Sequence, residues 1–157
     1  MTAPNTQTLE ERLKADVKDA MRAKDQVRVD TLRLALNAFH LEDVARTDKG
    51  HKLFRQPLSE ADRLAILEKQ VKQREEAAEI YRTAGRAEAA AKEQREAELL
   101  SGYLPAPLTD EELRALVAAI VTREGKEFRK VMPLAAKETK GRAEGKRVQE
   151  IVRELTA

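Results

Sequence analysis

Four cations, Lys140, Arg142, Lys146 and Arg147, fall within the eight residues Lys140-Gly141-Arg142-Ala143-Glu144-Gly145-Lys146-Arg147. Two glycines bracket this basic turn. An alanine-rich helical run precedes it, and Val148, Ile151, Val152 and Leu155 follow at helix spacing. Such a turn can present cations and unpaired backbone N–H groups to an anion. The same residues also make a plain helix–helix connector, because glycine takes positive φ without strain. Lys130 and Lys137 lie just upstream and extend the basic stretch.

Residue types that usually carry catalysis are sparse elsewhere. The two histidines, His40 and His51, belong to different elements. His40 shares a helix face with Asp43, but no second helix offers a matching pair, so no metal site is assigned. His51 sits in a loop and is expected to be exposed. Of the two serines, Ser59 reads as a helix cap. Ser101, in Leu100-Ser101-Gly102, lacks the strand-to-helix elbow of a serine hydrolase. Neither a phosphate-binding glycine loop nor a dinucleotide pattern occurs. Glu75 with Glu76, and Glu111 with Glu112, are adjacent and therefore diverge around a helix, so no carboxylate pair is marked out for acid–base work. No catalytic residue and no cofactor are assigned.

The elements that position the basic turn are helical. Across 157 residues, 41 % are hydrophobic and 37 % charged, while aromatics make only 3 %. That balance favours helices over sheets and is too apolar for a disordered chain. Thr8-Leu9-Glu10-Glu11 has the form of a capping box. Leu9, Leu13, Val17, Ala20 and Met21 then fall on one face. Asp25 caps a second helix with Val29, Leu32, Leu36 and Phe39 inward, fading near Arg46. Residues 47–58 form the longest loop and are expected to be mobile. Ser59 and Asp62 open a third helix, with Leu64, Leu67, Val71, Ala78 and Tyr81 inward. A stop at Ala84-Gly85-Arg86 leads to a fourth helix carrying Ala87, Ala90, Ala91, Ala97, Leu100 and Tyr103.

Leu104-Pro105-Ala106-Pro107-Leu108 cannot continue a helix. The expected organisation is an N-terminal helical domain of about four helices over 1–104, a Pro-rich linker at 105–108 and a C-terminal three-helix bundle over 109–157. Thr109-Asp110-Glu111-Glu112 caps the fifth helix, with Leu113, Leu116, Val117, Ile120 and Val121 apolar. A sixth lies within 128–139, where Phe128, Val131, Met132, Ala135 and Ala136 are apolar and Pro133 is awkward. The last runs from about Lys146 to Leu155. The fold class is all-α.

Charge is uneven along the chain. The whole carries only +2. From Lys126 to Arg153, however, nine basic residues face four acidic ones. Such an excess can hold a phosphate backbone. Phe128 is the one aromatic there and belongs to the core, which leaves phosphate contact and shape reading as the mode of recognition. Cysteine is absent, which suits a reducing cytoplasm. No apolar run approaches the roughly 18 to 20 residues that span a bilayer. The polar residues Met1 to Gln7 read as a frayed terminus, and the chain is expected to be soluble and cytoplasmic.

Three passages resemble the GatB/YqeY group. They are Val71-Lys72-Gln73-Arg74, then Tyr103-Leu104-Pro105 with Leu108-Thr109-Asp110-Glu111-Glu112-Leu113, and finally Lys130-Val131-Met132 with Lys140-Gly141-Arg142-Ala143-Glu144-Gly145-Lys146 and Val148. Their order and spacing match from about Leu9 to Leu155. Arg129 stands where the group tends to have glycine, and Pro133 occupies another position that is commonly small. Both departures bear on where the sixth helix starts.

The resemblance implies an all-helical protein whose C-terminal bundle is similar to the tail of the B subunit of the tRNA-dependent amidotransferase. That tail is associated with holding tRNA. It implies a non-catalytic tRNA-binding accessory module, with Lys130, Lys137, Lys140, Arg142, Lys146 and Arg147 on phosphate or ribose and Gly141 and Gly145 allowing close backbone approach. The partner would be tRNA, or a protein of aminoacyl-tRNA metabolism. Two alternatives stay open: a protein–protein adaptor working through the charged 59–104 hairpin, and a carbon–nitrogen ligase with glutamine as donor. The ligase alternative rests on family association alone.

Overall fold

A computed structural model describes residues 7–157. The reading of Met1 to Gln7 as a frayed terminus therefore falls, Gln7 apart, outside the described residues. Within them the chain forms seven helices and no strand: α1 Leu9–Arg22, α2 Gln26–Ala45, α3 Glu60–Thr83, α4 Ala87–Ser101, α5 Asp110–Glu124, α6 Phe128–Thr139 and α7 Gly145–Thr156.

Local chemistry explains most boundaries. Thr8, Ser59 and Thr109 each accept from the backbone N–H three residues on, and Glu11, Asp62 and Glu112 return the bond. Each box satisfies two donors that a helix start leaves free. The Asp25 carboxylate caps α2 by accepting from the Arg28 N–H. The stops are equally local. Gly85, at φ +75°, follows α3, where the Arg86 N–H reaches back to the Tyr81 carbonyl at 2.8 Å. Lys24 makes the same left-handed stop after α1 at φ +57°, and the Asp25 N–H reaches the Ala20 carbonyl at 2.9 Å.

The chain divides into two compact units that meet between Leu104 and Pro105. In the first, the α1–α2 and α3–α4 hairpins bury one core of Leu13, Leu32, Phe39, Leu67, Val71 and Leu100 with their neighbours. Ala78, Ala90 and Ala97 are buried along α3 and α4, where small side chains let the two helices approach closely. Met21, expected on the inner face of α1, is 52 % exposed, because the core ends at Ala20 one turn before the left-handed stop. Ala91 is likewise exposed, as is Ala136 on α6.

The 47–58 loop is a series of hydrogen-bonded turns, tied back to α2 where the Arg55 N–H meets the Arg46 carbonyl at 2.9 Å. Beneath it, the Arg46 guanidinium is only 5 % exposed and bonds Glu42 at 3.0 Å and Asp62 at 3.2 Å. It also donates to the carbonyls of Gln56 and Pro57, both at 3.2 Å. A buried cation with that many acceptors fastens the loop to both flanking helices. His51 is correspondingly not a free loop side chain. It is partly buried, with Nδ1 accepting from the Leu53 N–H at 2.9 Å and Nε2 lying 3.4 Å from Glu42.

In the second unit, α5, α6 and α7 each pack against the other two around Leu113, Val117, Ile120, Val131, Ala135, Val148, Ile151 and Val152. Leu108, placed in the linker by its sequence, packs against this core. Helix α6 begins at Phe128, so Pro133 lies inside it, past the first turn. The ring takes an exposed position, where the carbonyl it leaves without a donor can meet water.

Candidate nucleic-acid interface

The basic turn joins α6 to α7 and is anchored from below. Thr139 ends α6 fully buried, and its hydroxyl donates to the Ala135 carbonyl at 2.7 Å. The Thr139 carbonyl then accepts two backbone N–H groups, from Arg142 at 2.9 Å and Ala143 at 3.1 Å. Closing that turn requires φ +77° at Gly141, a conformation that side-chain-bearing residues resist. The Arg142 carbonyl accepts from the Leu108 N–H at 2.7 Å, which binds the entry segment of the bundle to the turn. Ala143 packs on the core.

With its backbone held inward, the turn leaves its long side chains outward. Lys137, Lys140, Arg142 and Lys146 are exposed, and no ion pair engages them among the described residues. The other predicted cations are already occupied. Lys130 lies 3.3 Å from Glu127 one helical turn away. Arg147 grips Asp110 with a two-pronged fork, Nε to Oδ1 at 3.1 Å and Nη2 to Oδ2 at 2.7 Å. Its remaining nitrogen meets Glu150 at 2.9 Å. The hydrogen bond to Asp110, then that to Glu150, raises the Arg147 pKa. The bond from Arg147 holds the Asp110 carboxyl below its usual range. Arg147 thus fastens the start of α7 to the start of α5, a role its sequence position did not disclose.

The two glycines also part company. Gly145 is the first residue of α7, and a Cβ added there would meet nothing within 4 Å. It is therefore not required by a left-handed turn, whereas Gly141 is.

Helix α7 starts in an unusual electrostatic state. Its N-cap is Glu144, whose side chain makes no capping bond, and its first turn holds no acid. Instead Lys146 and Arg147 stand there, against the positive end of the helix dipole. Asp110 and Glu150 relieve Arg147, while Lys146 has no such counterion. Free N–H groups and an unpaired lysine at one helix start make a place where an anion is favoured.

The clusters of shifted ionisable groups elsewhere hold the fold together. Arg46 is raised chiefly by its bond to Glu42. Asp62 is lowered chiefly by the Ser59 backbone N–H. Tyr103 is pushed up to about 12 by burial and by its hydrogen bond to Asp16. No group of three metal-ligating side chains occurs among the described residues. None of the described helices is long and apolar enough to cross a membrane.

A search of curated proteins returns no match to the chain. A family model does match it. The model describes a Yqey-like protein and spans residues 10–156, which takes in all seven helices except the first residue of α1. The Ser59 and Thr109 capping boxes, the Tyr103-Leu104-Pro105 break and the Gly141 turn thus fall inside one continuous match, and the chain belongs to the YqeY-like family.

Proposed function

We propose that this protein is a tRNA-binding accessory module without catalysis of its own, and that the α6–α7 turn is where it holds the RNA backbone. One observation carries the reading. Lys137, Lys140, Arg142 and Lys146 are exposed around an uncapped helix start, and no ion pair engages them among the described residues, whereas Lys130 and Arg147 beside them are paired. Phosphate is the ligand such a set accepts, through charge and through backbone N–H donors. No aromatic stands in the turn, so bases are not stacked there, and the recognition is of backbone and shape. The resemblance to the amidotransferase tail favours tRNA among folded RNAs. Contact with a protein of aminoacyl-tRNA metabolism fits an accessory role, in the cytoplasm where that chemistry takes place.

The test is equilibrium binding of bulk tRNA to the wild type and to Arg142→Ala/Lys146→Ala. Both side chains are exposed, so the fold should persist. Losing two phosphate contacts should weaken binding by about tenfold or more at low salt. Unchanged affinity would remove the turn from the reading.

A second reading has its own observation. Leu34 and Leu41, 53 % and 59 % exposed, line a cleft with Gln70, Gln73 and Arg74 of α3. An apolar strip beside the hairpin supports a protein–protein adaptor. Capture of a protein partner that survives nuclease treatment and is lost in Leu34→Glu/Leu41→Glu would favour it. The carbon–nitrogen ligase alternative has no supporting group in the site.

A further inference from the structure

The loop between α2 and α3 holds a cleft of about 420 Å³, within the range of small-molecule sites. It is lined by Asp43, Thr47, Lys49, Phe54, Arg55 and Gln56, among others. The Arg55 guanidinium lies over the Phe54 ring, 5.0 Å from its centroid. Lys49 and Arg55 are exposed, and no ion pair engages either among the described residues. Arg46 also borders the cleft, but its charge is spent on Glu42 and Asp62.

Arg55 adds a second kind of observation. Its φ is +60°, one of two positive values among described non-glycine residues. The other, Lys24, closes a helix in the usual way. Arg55 is held in its conformation by the bond from its N–H to the Arg46 carbonyl. A side-chain-bearing residue held in that region, where glycine would be easier, is a strained position of the kind that clusters at ligand sites. Here it places a flat cation on an aromatic ring at the edge of a cleft.

We propose that this cleft binds a ribonucleotide. The base stacks on the Arg55–Phe54 platform, since a guanidinium plane and an aromatic ring both accept stacked bases. Lys49 and Arg55 supply positive charge to the phosphate. Asp43, which repels a bare phosphate, accepts from ribose hydroxyls, and the Gln56 amide can meet a base edge with both a donor and an acceptor. Cations, a stacking surface and an acidic acceptor together fit a nucleotide and fit inorganic phosphate poorly. The nucleotide can be free or the terminal residue of an RNA chain, which offer the same chemistry. The proposal is independent of the α6–α7 turn.

The experiment is NMR titration of the full-length protein with AMP, inorganic phosphate and a short single-stranded RNA ending in adenosine monophosphate. AMP is expected to shift Lys49, Phe54, Arg55 and Gln56 amides saturably, with inorganic phosphate at least tenfold weaker. Arg55→Gly keeps the backbone conformation, so its melting temperature should not fall, yet AMP should bind at least tenfold more weakly. Lys49→Ala should weaken it several-fold, as read from the amides of the α2–α3 loop. RNA tighter than AMP and equally sensitive to Arg55→Gly assigns the site to a chain end; equal affinity assigns it to free nucleotide. Equal binding of AMP and phosphate, or an Arg55→Gly protein that binds AMP as the wild type does, would overturn the proposal.

Discussion

Single side chains decide how much of the basic stretch is available. Arg147 and Lys146 are neighbours in sequence, yet Asp110, 37 residues away, engages only the former. The pair has a pH signature. Because Arg147 depresses the folded pKa of Asp110, the pair stabilises the fold above the unfolded carboxyl value of about 3.9, and that contribution is lost as pH falls through the lower, folded value. Melting temperatures measured from pH 6 to pH 2 should therefore decline below about pH 4. Asp110→Asn should melt lower than wild type at pH 6 and approach it at pH 2. Lys24 provides a second residue-scale prediction. Its φ of +57° strains a residue with a Cβ. Lys24→Gly should raise stability by about 0.5–1 kcal/mol, with the strain relieved exceeding the extra entropy glycine loses on folding. Chemical denaturation would show it as a higher midpoint with an unchanged slope.

At the scale of elements, what is local was legible and what is distant was not. The capping boxes at Thr8, Ser59 and Thr109 span four residues each, and the side chains that complete them stand in the same turn. Their helices could be placed from spacing alone. By contrast, the bond between Tyr103 and Asp16 crosses 87 residues, and no periodicity reports it. The Arg46 network joins α2, α3 and the loop between them, which is why that loop reads as loose in sequence and is fastened in the structure. Pro133 is the element-scale test. It interrupts α6 at an exposed position where alanine would restore a backbone donor. Proline is about 3 kcal/mol worse than alanine inside a helix, offset in part by its stiffening of the unfolded chain. Pro133→Ala should therefore stabilise the protein by about 1–2 kcal/mol, read from thermal or denaturant unfolding. Unchanged stability would mean that neighbouring contacts already absorb the cost.

For the whole molecule, the two apolar cores followed from the sequence because helix-spaced leucines and valines leave little freedom in which face turns inward. The candidate interface was legible only as a charge excess. Which of the predicted cations are free depended on their partners: Glu127, one turn away, and Asp110, 37 residues away, withdraw Lys130 and Arg147, and leave Lys137, Lys140, Arg142 and Lys146. The two glycines looked alike in sequence, and only backbone geometry separates Gly141 from Gly145.

The central claim is that these four cations hold an RNA backbone, and the salt dependence of tRNA affinity tests it most directly. Four phosphate contacts predict that log K falls with log salt at a slope of about 3, or about 10²-fold between 50 and 200 mM. In Lys137→Ala/Lys140→Ala/Arg142→Ala/Lys146→Ala the slope should drop to near zero, at about one unit per cation removed. A wild-type slope retained in that variant would contradict the account.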